Sequence, residues 1–467
     1  MKKILNLKSI FGILIVLFAI PSIHHIFTFG ARVTSNFNVF LNMNICNSNS
    51  ISGSIFVIFI ISIFLIYFRI IEKRKELFKT TKSLFIFILV ISILFALILP
   101  ITSSDIYSYM TIGEIQKEYG ANPYYDTILD IKEQNNTSNN EILNAISSWD
   151  TQLAIYGPLW TVICSIVAIF SFSSIGFNLI LFKILAIAVH SINAFLIYKI
   201  SKKKFWVIIY GLNPYILFEA ISNVHNDIYL VLFTLLGLYM LLNKKNLRIT
   251  LFFFACATAI KYITILLVPF VLIYFYRDKN VGKRILYCFR DGMLFVGFVL
   301  LFYFIYIRDL SAIINVFIQQ DKYRESLITF IYKIFIDNGI PDMIKYVKYL
   351  FYGMFIIGYI GVVSKVLLQK EISFRIISKN YFYILLFFIL IFITNLCSWY
   401  FIWLFSIMMF QDKNNIKILL NMPLIYEICV SNYFFLGAEI AKKSVWYALV
   451  TIIVITSSML INKKMKK

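Results

Sequence analysis

Residues 83–110 read SLFIFILVISILFALILPITSSDIYSYM, an apolar stretch that gives way abruptly to polar and acidic residues at Thr102. About 20 apolar residues are needed to cross roughly 30 Å of hydrocarbon, so the apolar part predicts a transmembrane helix. The polar part continues to Tyr125 and places Asp105 where that helix meets water. Asp105 is therefore the first candidate for a functional side chain at a membrane surface.

The composition of the whole chain indicates the same class of protein. Of 467 residues, 60% are hydrophobic and 18% aromatic, and the mean hydropathy is +0.83. These values exclude a soluble globule and predict an all-α polytopic membrane protein with about 14 transmembrane or re-entrant helices. The first apolar run, from Ser9, is expected to be a retained span because no small-x-small cleavage site follows Ile20.

The charge distribution predicts an orientation in the cell membrane. The net charge is +21, with bases clustered in 69–82, 277–290 and 463–467. The positive-inside rule assigns these clusters and both termini to the cytoplasm, so the charge gives no reason to expect nucleic acid. Residues 102–153 carry eight acids against two lysines and are expected on the outer face. A second outer loop is expected at 309–345.

Two stretches do not fit a simple series of spans. Residues 199–204 look cytoplasmic, which requires that one of the runs beginning near Ile155, Ile175 and Phe205 is short, tilted or re-entrant. The run 249–276 contains Lys261 near its middle, which suggests two short helices that form a hairpin with Lys261 at the turn. Residues 1–276 hold most polar residues at membrane ends and are expected to form the catalytic module. Residues 277–467 are expected to add further spans.

Several kinds of site find no support in the sequence. The six cysteines are far apart without a C-x-x-C pair, and the four histidines lack H-E-x-x-H spacing. There is no Walker loop or dinucleotide fingerprint, and the acids of 102–153 form no D-x-D pair. No metal or cofactor is therefore expected, and nothing predicts the oligomeric state.

Asp105 has a structural alternative to a catalytic role. A short carboxylate at this point can cap the following helix by accepting a hydrogen bond from a free backbone N–H. That helix has apolar spacing that would let it lie along the membrane surface. The cap alone does not explain Tyr107 and Tyr109 in the next turn, or the turn residues Gly120 to Tyr124 after the helix.

His225, Asp227 and Lys261 are the other ionisable candidates. His225 and Asp227 lie between two apolar runs and could support a sugar hydroxyl or a phosphate oxygen, or could serve only as an interfacial residue and a helix cap. Lys261 lies deep in an apolar run, where a charge costs at least about 2.5 kcal/mol and normally has a partner. An anionic lipid phosphate suits it, although a lysine at a helix end can also reach water.

The remaining candidates are weaker. Arg324, in the second outer loop, could bind phosphate or be an ordinary solvated charge. Trp399 and Tyr400 open an apolar span and could form an interfacial aromatic belt or stack on a sugar ring.

At this point the chain resembles the multispan GT-C glycosyltransferases that use polyprenyl-phosphate sugars, especially the bacterial polyprenyl-phosphomannose-dependent mannosyltransferases. The resemblance rests on the order of short motifs within about 103–403. These are DIYSY from Asp105, GANPY from Gly120, YGPL from Tyr156, NP from Asn213, HND from His225, then Lys261 and the pair Trp399-Tyr400.

The resemblance implies a GT-C-like fold and an inverting transfer of a hexose, by analogy mannose, to a lipid-linked or cell-envelope glycan acceptor. Asp105 matches the catalytic aspartate of the first outer loop and would be the general base. Lys261, with Arg324, would hold the donor phosphate, and His225 and Asp227 would orient the sugar or acceptor. The remaining expected substrate-binding residues are Tyr107, Tyr109, Asn122, Tyr124, Tyr156, Trp399 and Tyr400.

Two other classes of function remain open on the sequence. A transporter or flippase for a lipid-linked or small polar solute would also explain an intramembrane lysine, but it would spread its charges along a path through the bilayer. A structural membrane subunit predicts no convergence of these residues at all.

Overall fold

The protein was analysed as a computed structural model that describes residues 2–29, 49–146, 150–309 and 326–436. Across these ranges the fold is all-helical, without any β-strand. Seven helices are long and apolar enough to cross a membrane, and a bent pair of helices would make an eighth. Five shorter apolar helices accompany them. The all-α membrane class is confirmed. The part of the predicted further spans that follows residue 436 lies outside the described residues.

The helices are numbered in chain order. They are α1 Lys2–Phe29, α2 Asn49–Glu72, α3 Arg74–Leu77, α4 Thr81–Ala96, α5 Asp105–Tyr119, α6 Ile128–Gln134, α7 Glu141–Ala145, α8 Pro158–Phe170, α9 Ile175–Ser201, α10 Lys204–Gly211, α11 Pro214–Leu217, α12 Asp227–Tyr239, α13 Leu247–Thr258, α14 Val268–Phe275, α15 Val281–Tyr303, α16 Leu327–Asp337, α17 Met343–Leu367, α18 Phe374–Phe387 and α19 Lys413–Leu436. Wider π turns cover Phe218–Ser222, Met240–Lys244 and Phe388–Phe392, and 3-10 helices cover Tyr262–Leu267 and Ser398–Phe410.

The short segment required between 155 and 222 is present. Helix α8 has 13 residues, which is about 20 Å and too short for the hydrocarbon core. The segment from Lys204 to Ser222 is also broken, with a bend of 49° between α10 and the helix that follows. The Lys204 ammonium donates to the carbonyls of Phe78 and Lys79 at 3.0 and 2.9 Å. The basic residues near 204 therefore lie at the same end of the molecule as the basic segment 69–82.

The chain also breaks at Lys261, as expected. Helix α13 ends at Thr258, and a 3-10 helix begins at Tyr262, so Lys261 itself has extended backbone. Lys261 is therefore not part of a continuous transmembrane helix. It sits at a break between two short helices, where backbone and side chain can both turn toward one site.

Helix α12 lies at the centre of the helix packing. It contacts α13, α9 and the 3-10 helix Ser398–Phe410, and Leu230, Val231 and Leu235 on it are buried. Helices α15 and α17 lie at the periphery and expose large apolar residues such as Phe289 and Ile357. Such continuous apolar exposure is typical of a surface that faces lipid.

The helix after Asp105 is packed among other helices. Helix α5 is buried on all sides from Ile106 to Ile115, because it packs closely against α8. A Cβ on Gly113 would lie 2.3 Å from the Cys164 carbonyl oxygen, so the contact depends on glycine. The helix ends at Gly120 with φ of 60°, a left-handed conformation that glycine adopts without strain. The turn predicted after the helix is confirmed, and the helix itself is packed within the protein.

Candidate active site

Asp105 is the first residue of helix α5. Ser104 occupies the N-cap position, and the Asp105 amide donates to the Ser103 hydroxyl at 3.2 Å. The Asp105 side chain is 15% exposed, so its carboxylate remains accessible at the start of the helix. The positive end of the helix dipole favours the ionised carboxylate.

Asn223 holds the segment that leads into Asp105. Its side-chain carbonyl accepts from the Ile101 amide at 3.1 Å. Its amide group donates to the Thr102 hydroxyl at 2.7 Å and to the Glu219 carboxylate at 2.9 Å. All of these groups are buried, so the segment before Asp105 is tied directly to the segment before His225.

His225 lies between two carboxylates. Its Nδ1 is 3.6 Å from Asp105 Oδ2, and its Nε2 is 3.3 Å from Glu219 Oε2. These are ion-pair distances rather than well-directed hydrogen bonds. The indole of Trp399 stacks on the imidazole with centroids 3.8 Å apart, and the histidine is fully buried. The result is a row in which a buried imidazole connects accessible Asp105 to buried Glu219.

The electrostatics of this row favour an imidazolium between carboxylates. Burial alone would lower the pKa of His225, but the adjacent carboxylates of Asp105 and Glu219 raise the pKa to about 9. Burial likewise opposes ionisation of Asp105, but interactions with His225, Lys261 and Tyr156 outweigh it and hold the pKa of Asp105 below its ordinary value. At neutral pH Asp105 is ionised, as a general base must be.

Lys261 and Asp227 form a second cluster of charged side chains. The Lys261 ammonium donates to both oxygens of Asp227 at 2.8 Å, and the Trp403 indole N–H donates to the same carboxylate. Lys261 also lies over the ring of Tyr400, 5.2 Å from its centroid. Asp227 is fully buried, whereas the Lys261 side chain is 15% exposed. The partner of Lys261 in the structure is therefore a protein carboxylate, with part of the ammonium group still accessible.

The 3-10 helix Ser398–Phe410 connects the two charged groups. Because such a helix has three residues per turn, Tyr400 and Trp403 lie one above the other, and their rings stack at 4.6 Å. Ser398 donates to Glu219 at 2.6 Å, and Trp399 covers His225. The C-terminal part of the chain therefore completes the site around Asp105.

The motif YGPL explains how Tyr156 and Lys261 come together. The amides of Gly157 and Leu159 donate to the carbonyls of Ile260 and Ala259 at 3.1 and 3.0 Å. A Cβ on Gly157 would lie 2.3 Å from the Ala259 carbonyl oxygen. The glycine thus lets the backbone next to Tyr156 lie directly against the backbone that precedes Lys261.

We expect Gly157→Ala to destabilise the protein by about 1–3 kcal/mol, because the added methyl meets rigid backbone and overpacking has costs of this size. Thermal unfolding of the purified protein in detergent measures this loss of stability. Gly353→Ala is the matched control, since open space surrounds that helical glycine. Equal melting temperatures for the two variants would contradict the close contact.

The other predicted residues lie deeper in the fold. Tyr109 is buried against Tyr156 and Trp160, with ring centroids 5.1 and 4.9 Å away. Tyr107 is buried on the same helix, and Tyr124 is buried with its hydroxyl donating to the Tyr156 carbonyl at 2.6 Å.

Asn122 is also engaged within the protein. Its side-chain amide donates to the Tyr306 carbonyl at 2.7 Å, and its side-chain oxygen accepts from the Tyr124 amide. The structure therefore brings together Asp105, Tyr156, His225, Asp227, Lys261, Trp399 and Tyr400, and uses Tyr109, Asn122 and Tyr124 in packing and turns. Arg324 lies outside the described residues.

Two buried charges were missed by the sequence reasoning. Glu219 follows an apolar run and is fully buried beside His225. Lys183 is buried in helix α9, where its ammonium donates to the carbonyls of Ile98 and Ser222 at 2.6 and 3.2 Å. Both could have been found, because an ionisable residue inside an apolar run is by default a functional or structural site. Among the residues placed in the structure, no group of three or more His, Cys, Asp or Glu side chains could hold a metal ion.

Comparison with known proteins identifies the family. A family model described as "Alpha-(1->6)-mannopyranosyltransferase, N-terminal domain", of the MptA_B family, matches residues 9–277. No curated protein and no solved structure matches the chain. The matched region contains Asp105, His225, Asp227 and Lys261. Because the match covers more than half of the 467 residues, this protein belongs to the MptA_B family of GT-C-type mannosyltransferases, and it is a membrane mannosyltransferase.

Proposed function

We propose that the protein transfers mannose from a polyprenyl-phosphate donor to a lipid-linked or cell-envelope glycan, with Asp105 as general base and inversion at the anomeric carbon. The proposal rests on the convergence of two partly exposed side chains, Asp105 and Lys261. Both contact buried ionisable residues, namely His225 for Asp105 and Asp227 for Lys261, and His225 in turn contacts Glu219. A base and a cation near one another can act on one sugar phosphate.

The reaction requires few groups because the donor already contains a good leaving group. Asp105 removes the proton of the acceptor hydroxyl, while the oxygen of that hydroxyl forms a bond to the anomeric carbon. The bond from that carbon to the phosphate oxygen breaks, and the electron pair leaves with polyprenyl phosphate. Lys261 stabilises the charge that develops on the phosphate. The family description suggests an α-(1→6) linkage, which with inversion requires a β-linked donor.

The charge balance supports a further cation at the site. Three carboxylates, on Asp105, Glu219 and Asp227, face two cations, on His225 and Lys261, in the part of the site that is described. An anionic donor phosphate therefore needs additional positive charge to bind. We propose that Arg324 supplies part of this charge.

We also propose that residues 1–276 form the main catalytic module. Residues 277–467 add further spans and the 3-10 helix Ser398–Phe410, which completes the site.

The experiment is a donor and acceptor assay with purified protein. Polyprenyl-phosphate mannose and membrane glycolipids should give a product heavier by one hexose by mass spectrometry, and digestion with a linkage-specific mannosidase should report the linkage. A nucleotide-linked mannose should give no product. Transfer from the nucleotide sugar alone would overturn the proposed donor class.

The arrangement of charges also bears on the transporter alternative. Asp105, Glu219, His225, Asp227 and Lys261 form one cluster rather than a series along the bilayer. The cluster favours chemistry at one place, and no observation specifically favours transport.

We propose that this site faces outward and that both termini are cytoplasmic. The basic residues at 69–82 and near 204 lie together at one end of the molecule, and helix α12 begins at the site with Asp227. In a cysteine-free background, Asn136→Cys should react with a membrane-impermeant reagent in intact cells, whereas Lys203→Cys should react only after lysis. The reverse pattern would invert the orientation.

A pH prediction follows from the row of His225. Its charge stabilises the folded protein fully below the ordinary pKa of 6.5, and this stabilisation is lost as the pH rises through about 9. Glu219→Gln removes one of the two carboxylates that favour the imidazolium. We expect the alkaline loss of kcat/KM and of melting temperature to move to lower pH.

Glu133→Gln removes an exposed carboxylate from residues 102–153, away from His225, and should leave both pH midpoints unchanged. An unaltered alkaline limb in Glu219→Gln, with normal expression, would show that Glu219 does not act through His225. A general loss of stability without a shift of the midpoint would assign it a packing role only.

A further inference from the structure

A cavity lined by basic residues lies away from the proposed active site. Its volume is about 680 Å³, and it is bordered by the turn between α12 and α13, the end of α14 and the middle of α15. This volume lies within the range of about 300–1,000 Å³ that is usual for ligand pockets. Its polar lining comprises Lys244, Lys245, Asn246, Arg248, Tyr276, Arg290 and Asp291.

The cavity lies at the opposite membrane end from Asp105. Asp227 begins an 18-residue span, and Lys244 ends it, so about 27 Å of helix separates them. Helix α13 returns from Arg248 towards Lys261. The same pair of helices therefore carries the Asp227–Lys261 ion pair at one end and the basic cavity at the other.

The charges of the cavity are unbalanced. Asp291 is already paired, because Arg290 donates to it at 2.7 Å and the Tyr276 hydroxyl also donates to it. Within the described ranges, no carboxylate lies within ion-pair distance of Lys244, Lys245 or Arg248. Four cationic side chains, on Lys244, Lys245, Arg248 and Arg290, therefore line the concavity with a single carboxylate, that of Asp291, which interacts with both arginines. The excess of positive charge favours a phosphate group as ligand.

The apolar lining indicates that the phosphate is carried by a lipid. Leu247, Leu251, Phe275 and Leu294 border the cavity beside the basic residues. Leu294 is exposed on α15, as are Leu286 and Phe289 on the turns before it. The cavity thus continues into an apolar surface of the kind that faces lipid tails, which a free phosphate compound would not use.

We propose that this cavity binds the headgroup of an anionic phospholipid, with its phosphate at Lys244, Lys245 and Arg248 and an acyl chain along α15. Basic pockets between transmembrane helices are suited to anionic headgroups. The site is separate from the mannosyl transfer proposed at Asp105. Ordinary positive-inside bias also explains basic residues at this end, but it predicts that lipid binding does not depend on which basic residues are removed.

The test measures lipid binding to the full chain in detergent, by native mass spectrometry and by thermal unfolding. Phosphatidylglycerol should bind and raise the melting temperature, and phosphatidylcholine should do neither. The double variant Lys244→Gln/Arg248→Gln should bind phosphatidylglycerol about 30-fold more weakly, since each basic residue near an anionic surface contributes about five-fold. Its melting temperature without lipid should match that of the unmodified protein, which shows that it folds.

The matched control is Lys75→Gln/Lys203→Gln, which removes the same charge from exposed residues outside the cavity. It should bind phosphatidylglycerol normally. Equal weakening in both double variants would overturn the site in favour of diffuse attraction to basic residues. Stabilisation by inorganic phosphate or glycerol phosphate to the same extent as by the lipid would overturn the lipid as ligand.

Discussion

Replacement of Asp105 by asparagine is expected to lower turnover by about 100- to 10,000-fold, the usual effect of losing a positioned general base. Asparagine keeps the size of the side chain and can still interact with His225 and Tyr156. It cannot take the proton from the acceptor hydroxyl. Donor binding should remain near that of the unmodified protein, and any change in melting temperature should be confined to alkaline pH, because Asp105 is one of the two carboxylates beside His225 but is not the helix cap. Single-turnover transfer from polyprenyl-phosphate mannose measures the chemical step directly.

The control for this variant is Asp278→Asn, the same chemical change at an aspartate whose side chain is 82% exposed. It should transfer mannose normally. Near-normal turnover in Asp105→Asn would remove Asp105 as the base and direct the search to Asp227. A variant that loses stability and donor binding together would instead indicate that Asp105 mainly holds the start of α5.

Replacement of Lys261 by methionine is expected to have two separable effects. It leaves Asp227 buried with only the Trp403 indole as a donor among the contacts described, and breaking a buried ion pair in this way costs about 3–5 kcal/mol. It also removes the cation proposed to hold the donor phosphate. We therefore expect lower thermal stability together with weaker donor binding and slower transfer.

The double variant Lys261→Met/Asp227→Asn separates these effects. Asparagine removes the unpaired charge, so most of the lost stability should return, as a double-mutant cycle would report. Donor binding should remain weak, because the phosphate still lacks its cation. Full recovery of donor binding in the double variant would mean that Lys261 serves only to neutralise Asp227.

The candidate site was partly predictable from individual residues. Asp105 stood out because a polar, acidic segment begins directly after an apolar run. Lys261 stood out because a lysine inside a span is energetically unusual. Glu219 follows the same rule, but it lies in a segment that read as an ordinary apolar run. Glu219 could therefore have been identified from the sequence by considering each ionisable residue within an apolar run.

The aromatic residues could not be assigned in this way. Tyr109 and Trp399 both lie next to polar motifs, yet Tyr109 is buried in an aromatic cluster and Trp399 stacks on His225. An aromatic ring packs favourably in a core or on a polar partner, so its type alone does not distinguish the two. Only the neighbours that the fold supplies decide it.

Composition, hydropathy and charge clusters by themselves determined that this is an all-α membrane protein, since burial in lipid imposes apolar length and helical hydrogen bonding on every span. Tertiary structure alone decided that His225 lies between Asp105 and Glu219, that Lys261 pairs with Asp227, and that residues near 400 complete the site. These contacts join segments up to 179 residues apart. Sequence periodicity records the environment of a residue along its own helix, whereas such partners depend on how separate helices pack, which no local pattern contains.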